Sequence, residues 1–156
     1  MSEATNPAGD VDRPIAIPHG FSHVRLTVTD IRRSKEFYTR LFGQRPGSDF
    51  SDQIDDLTIH DDPDRTYGGC SFTFNGQTLG LRPVAPRTDT FNPDRVGLDH
   101  VSFMVASVED LHDAAARLEE AGIEHGKVTD LPAFGIAILP LQDPDDINLE
   151  LATPLR

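Results

Sequence analysis

Tryptophan is absent and cysteine occurs once, at Cys70, so the chain can close no internal disulfide. Such sparing use of thiols fits a reducing compartment, and a cytoplasmic location is expected. Basic residues are scarce, with 14 Lys and Arg against 26 Asp and Glu and a net charge of −12. A surface this acidic repels phosphate backbones and anionic lipid, which argues against nucleic-acid and membrane-surface binding. No apolar run approaches the ~20 residues that a bilayer crossing needs. The opening MSEATNPAGDVDRP has neither a basic start nor an apolar stretch, so secretion is not expected. Hydrophobic residues, at 37%, are fewer than usual but sufficient for a core. The 156 residues suit one domain, or one domain made of two half-size modules.

Turn formers are plentiful, with 12 Gly and 12 Pro, which suits many short elements. Residues 1–19 lack periodicity and read as a flexible tail or strap, with IAIP at 15–18 a candidate edge strand. Residues 21–28 alternate as a strand, placing His23, Arg25 and Thr27 on one face and Val24, Leu26 and Val28 on the other. Asp30 caps a helix to about Phe42, with Ile31, Ser34, Phe37, Tyr38 and Leu41 inward and Gly43 as terminator. Residues 44–50 suggest a second strand. The polar stretch 51–69, with DDPDR at 61–65, reads as a mobile loop or a lid over a site. Strands at 70–74 and 77–81 flank Asn75-Gly76, a strong two-residue hairpin signal.

The plan then repeats. The first module occupies 20–83, a proline-bearing linker 84–96, and the second module 97–154. Residues 98–105 form its first strand, with His100, Ser102 and Met104 on one face. Ser107 and Asp110 cap a helix over 108–121, and strands are expected at 123–128, 134–141 and 147–152. His23 and His100 stand 77 positions apart, and Gly80 and Glu150 stand 70 apart. The first copy thus carries seven more residues, which the 51–69 loop absorbs. LGL at 79–81 matches LEL at 149–151, and internal duplication is the simplest explanation.

If the inner faces of both copies line one cleft, His23 and His100 project from paired first strands with Glu150 beside them. Two imidazoles and a carboxylate suffice for a divalent transition metal and leave positions open for substrate, water or dioxygen. The fourth symmetric position is Gly80, which has no donor, so three protein ligands are expected. Each of these residues singly would more often be an ordinary polar strand residue. The symmetric placement of both histidines, with Glu150 on an otherwise apolar strand, favours the metal. Arg25 and Arg82 share the inner face and suggest an anionic group on the substrate; internal salt bridges explain them equally well. His112 and His125 read as exposed, and Cys70 lacks a nucleophile's partners.

SHVRLTVTDIRRSKEFYTRLFG at 22–43, GLDHVSFMV at 97–105 and DPDDINLEL at 143–151 resemble the vicinal oxygen chelate superfamily over roughly residues 20–154. That superfamily includes glyoxalase I, bleomycin-resistance proteins, fosfomycin-resistance enzymes and extradiol dioxygenases. The resemblance implies an α+β fold of two tandem βαβββ modules forming a cupped, barrel-like mixed sheet around a metal. It puts the metal positions at His23, Gly80, His100 and Glu150. Gly80 departs from glyoxalase I-like members, which carry an acidic ligand there. The remaining two-His, one-Glu set is similar to that of extradiol dioxygenases, and Fe(II) is favoured over Mn, Zn, Ni or Co. Those enzymes carry an additional acid–base residue, for which His60 is a weak candidate. A second departure is Asp146-Ile147, where many relatives have Gly-Asn. Metal-dependent lyase or isomerase chemistry is the alternative within the class, and metal-free small-molecule binding the alternative outside it. A homodimer is expected, as family members commonly pair to cover their sheet edges.

Overall fold

A computed structural model describes residues 15–155. The tail read at 1–19 therefore lies largely outside the described residues, and 15–20 add no strand to either sheet. The first module runs β1 (His23–Thr27), α1 (Ile31–Phe42), β2 (Ser48–Asp49), β3 (Cys70–Phe74) and β4 (Gln77–Arg82). The second runs β5 (Val101–Met104), α2 (Val108–Glu120), β6 (Thr129–Leu131), β7 (Ile136–Gln142) and β8 (Asn148–Pro154). Their sheets have the same order, β1-β4-β3-β2 and β5-β8-β7-β6. In each, the first and last strands pair in parallel and the remainder antiparallel. Arg25 faces Gly80 across β1 and β4, and Ser102 faces Glu150 across β5 and β8. Those residues are separated by the same 77 and 70 positions, so the duplication holds in register as well as in sequence.

Local signals set the helix ends. The Asp30 carboxylate accepts from the Arg32 and Arg33 amides at 3.0 and 3.2 Å, and Gly43 closes α1 at φ 64°. Ser107 accepts from the Asp110 amide at 3.1 Å to start α2. Asn75 and Gly76 both take positive φ, the turn that matches strand twist. No helix among the described residues is long and apolar enough to cross a membrane.

Three expectations need correction. The strand expected at 44–50 shrinks to Ser48–Asp49, because the Asp49 carboxylate turns back to accept from the Ser51 amide at 3.0 Å. The strand expected at 123–128 is reduced to one bridge, His125 to Leu141, and β6 begins only at Thr129. Pro140 lies opposite that stretch; its carbonyl accepts from the Gly126 amide at 2.8 Å, but it has no N–H to return, so no ladder grows there. The 51–69 segment is wound into three short 3₁₀ turns. Arg65 staples them, donating to Asp62 at 2.6 Å, Thr58 at 3.2 Å and Asp56 at 3.4 Å, while Ile59 is wholly buried beneath.

The two sheets do not join into one barrel. Both remain open, and β1 and β5 pair with β4 and β8 rather than with each other. The reason lies in the apolar faces, which feed a single core. Leu26, Tyr38, Phe72 and Leu81 from the first module cluster with Leu111, Leu139, Leu149 and Leu151 from the second. Phe42 sits at the seam, with ring centroids 4.7 Å from Phe74 and 5.0 Å from Phe103. A polar clasp crosses the same seam: Thr29 and Arg33 donate to Asp145, and Tyr38 donates to Asp143 at 2.9 Å. Apolar faces turned together leave the polar faces turned outward.

Cys70 is part of this core, 1% exposed, and burial pushes its thiol up to about 12. The native protein at pH 8 is therefore expected to leave an aromatic disulfide reagent unconsumed over minutes, and to react at one equivalent once unfolded in guanidinium. Rapid reaction of the native protein would show that β3 opens locally.

Candidate functional site

On the polar face of the first sheet, β1 and β4 set three cross-strand rows: His23 with Thr78, Arg25 with Gly80, and Thr27 with Arg82. The His23 Nδ1 lies 3.2 Å from the Ser22 hydroxyl. His23, Arg25, Ser71, Thr78 and Gly80 line a cavity of about 260 Å³. Gly80 is the floor of its row because the Arg25 side chain lies flat across it. A Cβ at Gly80 would stand 3.2 Å from Arg25 Nε and 3.4 Å from its Cγ. Both guanidiniums lean over the Tyr67 ring, Arg82 at 4.0 Å and Arg25 at 5.4 Å from its centre. Among the described residues neither arginine forms a salt bridge.

On the polar face of the second sheet, His100 and Glu150 share a cavity of about 490 Å³ with Asp99, His125 and Gln142. Asp99 Oδ1 lies 2.5 Å from His100 Nδ1, and Ser102 donates to Glu150 Oε1 at 2.8 Å. A carboxylate can only accept, so it holds a proton on Nδ1, the arrangement seen behind metal-bound imidazoles. Glu150 keeps its second oxygen uncommitted.

The structure thus brings His100 and Glu150 together and places His23 in the other cavity. Among the described residues no three His, Cys, Asp or Glu side chains stand close enough to hold one ion. The paired first strands expected from sequence are not formed within one chain, since the shared core holds the polar faces apart. His60 lines neither cavity; its Nε2 is 3.0 Å from the Ile54 carbonyl. Sequence reasoning missed two residues. His125, read as exposed, lines the His100–Glu150 cavity, with Nδ1 2.7 Å from the Gly126 carbonyl, which can only accept. Only its bridge to Leu141 puts it there, and no periodicity announces that bridge. Tyr67, the second, comes from a segment with no pattern at all.

Two βαβββ modules of one strand order, with His23 opening β1 and His100 standing one residue before β5, which begins only at Val101 rather than at residue 98, define a paired-module class of small-molecule sites. The chain belongs to the glyoxalase/bleomycin resistance protein/dioxygenase superfamily, whose family model matches residues 20–151. It is similar to a glyoxylase/bleomycin resistance protein/dioxygenase domain from Frankia sp. EAN1pec, at 28% identity and a TM-score of 0.63, over 88% of this chain and 93% of that one. A glyoxalase/dioxygenase from Nostoc punctiforme shares the fold at 20% identity and a TM-score of 0.66, over 92% and 98% of the two chains. So does the fosfomycin resistance protein FosX of Listeria monocytogenes, at 16% identity and a TM-score of 0.61, over 86% and 91%. No curated protein shows significant sequence similarity to the chain.

Proposed function

We propose that this protein is a divalent-metal-dependent, dioxygenase-like enzyme acting on a small substrate that chelates through adjacent oxygens. His23, His100 and Glu150 would hold the ion, Fe(II) before Mn, Zn, Ni or Co, with Arg25 and Arg82 orienting an anionic group. The observation that carries this reading is the Asp99–His100 pair beside Glu150, two donors of the right type with the imidazole tautomer already set. By type the donor set fits such an ion; within one chain it is two-thirds complete. A second copy, laying the first sheet of one chain against the second sheet of its partner, would add the third donor. Support for that pairing comes from the outward polar faces and from apolar side chains exposed around them, Met104 at 82% and Phe21 at 80%.

Bound there, the ion would supply Lewis acidity toward two substrate oxygens and, as Fe(II), a centre for dioxygen chemistry. The chain's own groups have simpler tasks. Asp99 keeps the His100 proton on Nδ1, Ser102 fixes one Glu150 oxygen, and Arg25 and Arg82 attract the anionic end of the substrate. Gly80 supports three-ligand chemistry over a glyoxalase I reaction, because no fourth donor can come from that position of β4.

The test is metal content of untagged protein purified without oxygen, beside Glu150→Ala. About one equivalent per chain, lost in the variant, is expected. Iron with oxygen uptake supports the dioxygenase; zinc, nickel or cobalt moves the reading to lyase or isomerase work. Less than about a tenth of an equivalent, unchanged by added metal, would replace the enzyme with a metal-free binding protein.

A further inference from the structure

We infer that Arg25, Arg82 and Tyr67 build a binding site for a doubly charged, tetrahedral oxyanion on the polar face of the first sheet. This deepens the role proposed above for the two arginines and rests on it, but it does not depend on the metal. Three observations carry it. First, this chain has 26 acidic residues, yet these two neighbouring guanidiniums have no carboxylate partner among the described residues. Second, Arg82 Nε is buried with no hydrogen-bond acceptor. A buried cationic donor left without an acceptor is costly, and an anion bound against the guanidinium would satisfy it. Third, the backbone is strained to put Tyr67 where it is.

That strain is specific. Thr66, Tyr67 and Gly68 take φ of 49°, 59° and 77° in succession. Non-glycine residues in the left-handed region carry a steric cost, and such costs persist where the surroundings enforce them. Here the enforcing contacts are backbone: Tyr67 N donates to Asp62 O at 2.9 Å and Gly69 N to Thr66 O at 3.0 Å. Gly69 lies so close to β4 that a Cβ there would be 1.9 Å from the Leu81 carbonyl oxygen. The turn is thereby pinned against the end of β4, and the ring it carries meets both guanidiniums. Aromatic contact lowers the cost of holding two like charges side by side without using their N–H donors. Those donors remain for a ligand.

The number of donors sets the ligand class. The single charge of a carboxylate is matched by one bidentate guanidinium. Two guanidiniums with an unsatisfied Nε call for more acceptor oxygens and a second negative charge, as in a phosphoryl-type group. His23 lines the same cavity as Arg25, so the anion would be held beside the first module's metal donor.

The probes are sulfate, inorganic phosphate, malonate and acetate, titrated by calorimetry into chelator-treated full-length protein at constant ionic strength, which removes generic screening. Sulfate and phosphate are expected to bind at least about tenfold more tightly than malonate or acetate. Tyr67→Leu and Arg82→Met should each weaken sulfate binding by about tenfold, and Tyr67→Phe, which keeps the ring face, should restore it to within about threefold. Gly80→Ala should weaken it too, since the added methyl displaces Arg25. The variants' thermal midpoints report whether they fold. Sulfate affinity no better than that of acetate, or equal in wild type and in folded Arg82→Met, overturns the site. Tighter binding of malonate overturns the tetrahedral class. Because the protein is metal-stripped, none of these results bears on the metal content measured above.

Discussion

A mixture of two chains that each fail to retain metal, His23→Ala and Glu150→Ala, is expected to retain it. On the proposed reading each variant alone removes one of three donors, and a loss of more than about 100-fold in metal affinity should follow. If the ion were held within one chain, no mixing could repair either defect. The geometry argues otherwise. His100 and Glu150 share one cavity and His23 lines another, and the shared core that holds the sheets in this relation includes Tyr38, Phe72, Leu111 and Leu139, all 0% exposed. Bringing His23 to Glu150 within one chain would require opening that core, whereas a second copy need only cover the exposed polar faces. In a dimer paired first sheet to second sheet, the mixed species carries one site with all three donors and one lacking two. Random exchange should therefore recover about a quarter of the wild-type sites. The check is metal content after co-refolding equal amounts of the two variants, against each refolded alone. No recovery, from a mixture shown by mass to contain the mixed dimer, would sink the shared site.

Much of this arrangement was legible in the sequence because it is written in short-range chemistry. Asp30, Ser107 and Asn75-Gly76 mark their helix starts and hairpin through local hydrogen bonds and allowed φ, and all three act as expected. Strand alternation put His23, Arg25 and Thr27 on one face, and the register sets them opposite Thr78, Gly80 and Arg82. What the sequence did not carry is how the two modules face each other. Alternation says that a face is polar; it does not say whether that polar face meets its own copy, a second chain or solvent. Phe42 and Phe103, which make the seam, lie in separate modules, and nothing in the spacing of either joins them. The 51–69 segment was opaque for a different reason. Its order comes from side chains that meet across several residues, Arg65 with Asp56, Thr58 and Asp62, a pattern with no period. Asp146 illustrates a departure resolved by structure: it stands where many relatives carry glycine, and it takes φ 63°, the conformation glycine would favour.

The inter-module clasp should show the largest effect on stability, and the sign of its pH dependence is fixed by burial. Asp143 is 4% exposed. It accepts from the Asp145 amide at 2.8 Å, the Ile147 amide at 2.9 Å and the Tyr38 hydroxyl at 2.9 Å. Asp143→Ala leaves three buried donors unmatched and should cost about 3–5 kcal/mol, or roughly 10 °C in Tm for a chain of this size. Asp143→Asn differs: its carbonyl can still take both amides, and its NH₂ can face the Tyr38 oxygen, so the loss should be about 1 kcal/mol. Burial, reinforced by the neighbouring Asp145, raises the Asp143 carboxyl above its ordinary range despite the hydrogen bonds that favour the charge. A group whose acid form is favoured in the folded state contributes stability below its unfolded value, near 4, and loses it as pH rises through the folded value. Wild type should therefore lose this contribution on going from pH 4 upward, while the asparagine variant, which cannot ionise there, does not. Urea midpoints of the three proteins across that range make the comparison. Asparagine gaining ground on aspartate with rising pH is the expected result; asparagine losing ground would mean that the three donors outweigh burial and hold the carboxylate below its usual range.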